Sequence, residues 1–177
     1  ICLEQNLASS AILTHCNFAE NYSYYGGAVL ALPTNRGERH KLDDCQFAGN
    51  SSIGDGRAVM SYASLDVTNS TFVSNTAATR GGAIYFPSPS VSTLRNSIVW
   101  NNTAGTGAQI FLGDSNLPMA LLTVSYSDVL GGQSAVSLQQ GTLTWGSGNL
   151  DLDPQFTDPD GADNNPLTFS DNDYTLG

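Results

Sequence analysis

The chain has 177 residues, enough for one domain with a hydrophobic core, and charged residues make up 12 % of it, about half the usual share. Its 7 Phe, 7 Tyr and 2 Trp exclude a disordered chain, and no apolar run approaches the roughly 20 residues that span a bilayer. The net charge of −10 argues against nucleic acid and anionic membrane surfaces as partners.

The charge divides the chain into two parts. All six Lys and Arg precede Asn96, whereas nine Asp follow it, and seven of these lie between Asp151 and Asp173. The chain begins at Ile1 without a leader segment and stops at Gly177 within a pattern. We therefore expect it to be part of a longer parent chain.

Four segments repeat one pattern, in which an apolar residue is followed five residues later by Phe or Val and three residues after that by Asn. They span residues 13–21, 42–50, 67–75 and 94–102. Their Phe or Val positions are 29, 25 and 27 residues apart. Each segment continues into a glycine-marked turn and a short apolar strand, at residues 26–29, 56–59, 81–84 and 107–110. A fifth, degenerate copy runs through residues 124–129.

A period of 25 to 29 residues with three short strands predicts one turn of a solenoid. Equivalent residues on successive coils then lie about 4.8 Å apart and form columns. Two columns are apolar and interior: Leu13, Leu42, Val67 and Leu94; and Phe18, Phe47, Phe72 and Val99. A third falls at a corner, where side-chain amides can stack as a ladder: His15, Asp44, Asn69 and Asn96. The sequence predicts an all-β parallel β-helix over residues 1–147 and an acidic, loop-rich C-terminal segment over residues 148–177.

The motifs Phe-x-x-Asn, as at residues 72–75, and Gly-Gly-Ala-Val/Ile, as at residues 81–84, resemble the repeat of the chlamydial polymorphic membrane proteins. The segments 96–102, 124–132, 148–156 and 171–176 are similar to the closing part of large secreted bacterial β-helix proteins. The resemblance implies a right-handed parallel β-helix from a secreted or cell-surface bacterial protein. It implies no single activity, because such proteins include adhesins, autotransporter passengers and carbohydrate-active enzymes.

The cysteine count gives no metal or disulfide framework, because three residues at these spacings fit neither. Cys16 and Cys45 occupy the same position of the repeat, so a disulfide between adjacent coils is one arrangement. A ladder of buried free thiols is the preferred one, because Ser70 and Ser97 hold the same position in the next two coils.

The acidic segment carries a candidate calcium site. Five carboxylates fall within 13 residues, in a stretch that Pro and Gly break into tight loops: Asp151, Asp153, Asp158, Asp160 and Asp163. Hard oxygen ligands on loops suit calcium, in a structural role. The alternative is a solvated acidic end that keeps the protein soluble.

Two further sets of residues are candidates for ligand binding. An insertion that lengthens the first repeat contains half of all the cations: Arg36, Arg39 and Lys41. Loops that extend beyond a coil are where solenoids hold binding groups, although a solvated loop is the simpler interpretation. The second set aligns in the strand after the glycines: Leu30, Met60, Tyr85 and Phe111. This column is either an exposed stripe that binds a partner or part of the core.

These observations favour a non-catalytic surface module for adhesion, glycan binding or display, with a polysaccharide or a host or cell-surface ligand as its partner. Cations are few, and the paired acids of a glycoside hydrolase do not occur at a defined spacing. The alternative is a calcium-assisted polysaccharide lyase of the pectate-lyase type, with its base among Arg36, Arg39 and Lys41. A third interpretation is a structural segment whose active region lies elsewhere in the parent chain.

Overall fold

A computed structural model describes residues 1–3, 10–24, 27–33, 37, 39–54, 58–87, 89–165 and 168–176. Its strands stack in register into parallel sheets that run along one solenoid axis, which confirms the predicted all-β parallel β-helix. Each coil contributes one short strand to each sheet that it reaches. A final pair of strands is antiparallel and lies outside the coils.

The four parallel sheets are here numbered in the order in which a coil enters them. Sheet 1 consists of β1 (Cys2–Leu3), β5 (Val29–Ala31), β9 (Val59–Ser61), β13 (Ile84–Phe86), β16 (Ile110–Leu112) and β19 (Val136–Leu138). Sheet 2 consists of β2 (Ile12–Thr14), β6 (His40–Asp43), β10 (Leu65–Thr68), β14 (Val91–Arg95), β17 (Ala120–Ser125) and β20 (Gly141–Trp145).

Sheets 3 and 4 are smaller. Sheet 3 consists of β3 (Asn17–Ala19), β7 (Gln46–Ala48), β11 (Thr71–Val73), β15 (Ile98–Trp100) and β18 (Asp128–Val129). Sheet 4 consists of β4 (Tyr22–Ser23), β8 (Ser51–Ser52) and β12 (Thr76–Ala77). One 3₁₀ helix spans Gly132–Ala135, and the C-terminal hairpin pairs β21 (Phe156–Asp158) with β22 (Asp173–Leu176).

The coils turn at residues with a left-handed backbone. The corner between sheets 2 and 3 has one residue of positive φ in each coil: His15, Asp44, Asn69, Asn96 and Tyr126. The corner between sheets 3 and 4 also has residues of positive φ: Glu20, Gly49, Ser74 and Asn101. Asn, Asp and Gly tolerate this conformation better than other residues, so their recurrence in the repeat reflects the turn.

The core consists of like residues stacked on like. Phe18, Phe47 and Phe72 lie in register, with ring centroids 4.8 and 4.7 Å apart and nearly parallel planes. Leu42, Val67 and Leu94 form the second predicted column, also in register. The side chains of Phe47 and Leu42 are fully buried, as a packed solenoid core requires.

The Asn of the Phe-x-x-Asn motif forms a ladder inside the solenoid. Asn50 and Asn75 have no exposed surface, and each Nδ2 donates to the Oδ1 of the Asn one coil further on, at 2.8 Å. The ladder runs from Asn21 to Asn102, where Nδ2 donates to Gln109 Oε1 at 2.9 Å. Each buried Asn thus satisfies both the donor and the acceptor of its amide within the ladder. This pairing explains why the motif contains Asn.

The C-terminal segment folds back over the outer face of sheet 3. Tyr174 is buried against Ala48 and Val73, with Phe156 and Phe169 packed beside them. The backbone N–H of Phe169 donates to Glu20 Oε1 at 2.7 Å, which joins the end of the chain to an early coil. The segment therefore forms part of the side of the solenoid.

Candidate functional site

A groove of about 870 Å³ runs along the side of the β-helix, parallel to its axis. Its floor is the outward-facing column of sheet 3, with one residue from each strand: Asn17, Gln46, Thr71, Ile98 and Asp128. Because these strands pair in register, the floor presents a side chain about every 4.8 Å. The groove therefore has the repeat of the solenoid itself.

The two walls of the groove have different origins. One wall is the corner between sheets 2 and 3, and the other comes from the C-terminal segment, where Leu152, Pro154, Tyr174 and Leu176 contribute. Tyr174 belongs to both the wall and the apolar contact with sheet 3. The groove therefore exists because the C-terminal segment docks beside the corner.

The corner wall carries a hydrogen-bonded polar ladder. Asn96 Nδ2 donates to Asn69 Oδ1 at 2.7 Å, and Asn69 Nδ2 donates to Asp43 Oδ1 at 2.8 Å. Hydrogen bonds from Thr68 and then Asn69 hold the pKa of Asp43 below its usual value. His15 Nε2 lies 3.2 Å from Asp44 Oδ2. The expected amide ladder thus forms between Asn69 and Asn96, while Asn69 bonds Asp43 and not the expected Asp44.

The groove is negatively charged. Asp44, Asp128 and Asp153 line it, and its described lining contains neither Lys nor Arg. Burial raises the pKa of Asp128, and the charges of Asp151 and Asp153 raise it further, against a 3.2 Å hydrogen bond that the Leu152 N–H donates to the carboxylate. An anionic polymer would be repelled by this lining, whereas a neutral one would meet amides and hydroxyls.

The predicted basic residues lie elsewhere. Arg36 is outside the described residues. Arg39 forms an ion pair with Asp66, in which Nε donates at 2.8 Å, and this hydrogen bond raises the pKa of the guanidinium. Thr93 Oγ1 also donates to this carboxylate at 2.8 Å, and Lys41 is exposed on β6. The two described residues of the predicted basic set, Arg39 and Lys41, therefore belong to the outer face of sheet 2. The structure does not bring them into the groove.

The predicted column on sheet 1 is covered. Met60, Tyr85 and Phe111 have 4 %, 1 % and 4 % of their surface exposed and form a small cluster apart from the main core, with Leu30 half-buried against it. Arg80 lies over the Phe111 ring at 5.5 Å. The column is therefore packed in a cluster of its own, which is neither an exposed stripe nor part of the main core.

The five predicted calcium ligands do not form one cluster. Asp151 Oδ1 accepts the Gly131 N–H at 2.8 Å and Asp153 Oδ1 accepts the Gln155 N–H at 3.0 Å, whereas Asp163 is hydrogen-bonded within its own turn. Within the described ranges, no group of three or more His, Cys, Asp or Glu side chains is arranged to hold a metal ion. Calcium remains a prediction, and a single site with all five ligands is not the arrangement in the structure.

Cys16 and Cys45 are free thiols in the described part of the chain, as preferred from the sequence. Cys45 is buried, and its burial raises the pKa of the thiol. Cys16 is only half-buried and lines the groove with Cys45. The next coils hold serines that accept the preceding coil's N–H, as Ser70 Oγ does from Cys45 at 3.1 Å.

The C-terminal wall is the part of the site that the sequence analysis missed. The signal was present, since Phe156, Phe169 and Tyr174 are large aromatic residues in a segment that is otherwise acidic and polar. Such residues need an apolar surface, and Ala48 and Val73 on the outer face of sheet 3 provide one. The aromatic residues lie far along the sequence from Ala48 and Val73, so the sequence did not reveal that the two sets pack together.

The chain is a parallel β-helix with a groove between a polar corner and a docked C-terminal segment. Residues 69–87 match the Chlamydia polymorphic membrane protein repeat, and the chain thus carries a β-helix repeat resembling the chlamydial one. A transmembrane domain-containing protein of Dictyostelium discoideum is 28 % identical over 117 residues. The match covers 66 % of this chain and 7 % of that protein. No solved structure matches this chain. Among the described residues, no helix is long and apolar enough to cross a membrane.

Proposed function

We propose that this chain is a surface-associated β-helix module that binds an extended, uncharged glycan along its lateral groove and performs no chemistry on it. One observation carries the proposal: the groove floor repeats with the coils, so that Asn17, Gln46 and Thr71 present polar groups in one line. A polymer with a short repeat can meet an equivalent group at each step, which a compact ligand cannot.

The surface association is supported by the matched repeat and by the similar Dictyostelium protein. The matched repeat belongs to polymorphic membrane proteins, and the Dictyostelium protein is named for a transmembrane domain. A β-helix held at a surface presents its long side to the surroundings, and in this chain that side bears the groove. The activity and the partners of the whole parent protein are part of this proposal, since the match spans 7 % of the curated relative.

The charge of the groove selects among glycans. Asp44, Asp128 and Asp153 in its lining favour a neutral chain over uronic acid or sulfated polymers. This lining gives no support to a lyase for acidic polysaccharides. Such an enzyme needs a basic residue at the bound sugar, and Arg39 is paired with Asp66 outside the groove.

Affinity electrophoresis in gels that contain a soluble polysaccharide tests the proposal. Neutral glucans, mannans and xylans should retard the protein, whereas pectate and alginate should not. The double variant Gln46→Ala, Thr71→Ala removes two polar groups from the floor, and a hydrogen bond to each is worth about 1 kcal/mol. The affinity for the polysaccharide, measured from the retardation, should therefore fall at least about tenfold.

The matched control is Thr123→Ala, Thr144→Ala, which alters two exposed residues of sheet 2 that lie in register outside the groove. Its retardation should equal that of the wild type. Equal loss in both double variants, retardation by acidic polymers alone, or no retardation by any neutral polymer would refute binding in the groove. Shortened polysaccharide chains after incubation would refute the non-catalytic role.

A further inference from the structure

A cavity of about 340 Å³ lies beside the corner between sheets 3 and 4, across sheet 3 from the corner that walls the groove. The coils contribute Val73 and Trp100 to its lining, and the C-terminal segment contributes Asp153, Phe156 and Tyr174. Asp153 and Tyr174 also line the groove, so the two sites share part of one wall. A cavity of this volume can hold a small organic ligand.

The cavity exists because the C-terminal segment covers only part of an outward-facing column of sheet 3. Ala48, Val73 and Trp100 lie in register in that column, and Tyr174 packs on the first two. Trp100 lies one coil beyond that contact and is only half-buried. The indole ring therefore remains available to a ligand that enters the cavity.

Three aromatic side chains bound the cavity: Trp100, Phe156 and Tyr174. The rings of Phe156 and Tyr174 meet edge to face, with centroids 5.1 Å apart and planes at 81°. The two rings are thus nearly perpendicular and bound the space from two directions, while Trp100 bounds it from the sheet. Because the face of an aromatic ring carries partial negative charge, rings grouped around one space attract a cation there.

The charged groups of the cavity also favour a cation. Asp153 contributes a carboxylate, and the described lining contains neither Lys nor Arg. Asp153 Oδ1 accepts the Gln155 N–H at 3.0 Å, and this hydrogen bond holds the side chain in place. A metal ion or a primary ammonium keeps its water unless several oxygen ligands replace it, and three rings do not supply them. A quaternary ammonium group has no N–H to satisfy, and aromatic rings can bury its methyl groups.

We propose that this cavity binds a trimethylammonium group, as in choline, against Trp100, Phe156 and Tyr174, with Asp153 as its counterion. This inference goes beyond the proposed glycan binding, because the ligand is a cation and binds outside the groove floor. Free choline compounds and the headgroups of choline lipids both carry the group, so the experiment has an arm for each.

Isothermal titration with choline chloride, against sodium chloride at equal ionic strength, measures the affinity. Dimethylbutanol, in which carbon replaces the charged nitrogen of choline, has the same shape and should bind at least about tenfold more weakly. The chain has 2 Trp, so in a Trp145→Phe background the fluorescence reports on Trp100 alone. Choline should change that fluorescence saturably.

Two variants test the rings and the counterion. Trp100→Leu keeps an apolar side chain but removes the aromatic face, and should weaken choline binding at least about fivefold. Asp153→Asn keeps an acceptor for the Gln155 N–H and should weaken binding by a similar factor. The matched control is Asp151→Asn, which removes the same charge from a carboxylate that accepts the Gly131 N–H outside the cavity. Its affinity for choline should stay within about twofold of the wild type.

Flotation with phosphatidylcholine vesicles distinguishes the two sources of the group. Flotation that added choline reverses would assign it to a lipid headgroup, and choline binding without flotation would assign it to a free compound. Absence of saturable choline binding, equal affinity for dimethylbutanol, or equal weakening in Asp151→Asn and Asp153→Asn would overturn the proposal. The groove-floor variant Gln46→Ala, Thr71→Ala should bind choline as the wild type does, so the result is independent of the proposed function.

Discussion

The ring of Phe169 lies directly on the Cα of Gly49: a Cβ at residue 49 would fall 2.1 Å from Phe169 Cδ2. Gly49 has a φ of 60°, and the equivalent corners of the other described coils hold Glu20, Ser74 and Asn101 in the same conformation. The backbone turn therefore accepts a side chain, and the glycine is needed for the contact. This contact fixes the C-terminal segment to the second repeat.

Replacing Gly49 with the residue of the next coil should release the C-terminal segment. Gly49→Ser keeps a backbone conformation that Ser74 already adopts, but its Cβ displaces the Phe169 ring, at a cost of about 1–3 kcal/mol. Limited proteolysis should then cleave within the C-terminal segment faster than in the wild type. Ser74→Ala, at the matched corner, should stay within about 0.5 kcal/mol and leave the cleavage rate unchanged.

The interior Asn ladder should dominate the stability of the coils. Asn75→Ala leaves the Asn50 N–H and Nδ2 without the Oδ1 that accepts them at 3.0 and 2.8 Å, and should lower the free energy of unfolding by about 3 kcal/mol. Urea unfolding measures this loss. Asn96→Ala, in the exposed corner ladder, should cost less than about 1 kcal/mol. Similar losses at both positions would show that burial of the ladder is unimportant.

Asp128 should destabilise the fold at neutral pH. Its folded pKa lies above the unfolded value of 3.8, so the fold favours the protonated form, and that stability is lost as pH rises through the folded pKa. Asp128→Asn keeps an acceptor for the Leu152 N–H. It should therefore raise the free energy of unfolding at pH 7 by up to about 0.5 kcal/mol at this partly exposed site, and the variant should unfold at a higher temperature. Below pH 3.8 the difference should vanish. A variant less stable than the wild type at pH 7 would contradict the assignment.

Asp66 should show the opposite pH dependence. The hydrogen bond from Arg39 lowers its pKa below 3.8, so the pair stabilises the fold above the unfolded pKa, and this contribution is lost as pH falls through the folded pKa. Asp66→Asn should cost about 1 kcal/mol at pH 7 and progressively less in acid, as thermal unfolding across this pH range can measure. A constant loss at every pH would assign the effect to packing.

The repeat could be predicted because equivalent positions of stacked coils have the same environment and therefore favour the same type of residue. Phe18, Phe47 and Phe72 recur since each ring packs on the one before it, and the register confirms that column. The interior Asn ladder was visible as a motif, but its burial was not. Amides at turns and amides in cores look alike in a sequence.

Contacts that occur once could not be predicted in the same way. Phe169 and Glu20 are 149 residues apart, and no repeat marks their pairing. Arg39 was grouped with its neighbours in the sequence, but its partner Asp66 is 27 residues away, on the adjacent coil. In a solenoid, side chains 25 to 30 residues apart meet on adjacent coils, so closeness along the sequence is a poor guide to which residues share a site.

The measurement that tests the groove most directly is amide chemical-shift mapping of the isotope-labelled chain titrated with neutral oligosaccharides. Binding along the groove should give saturable shifts in one line, at Gln46, Asn69 and Thr71, and leave the amides around Thr123 and Thr144 unchanged. Shifts confined to the outer face of sheet 2, or no saturable shift with any neutral oligosaccharide, would contradict it.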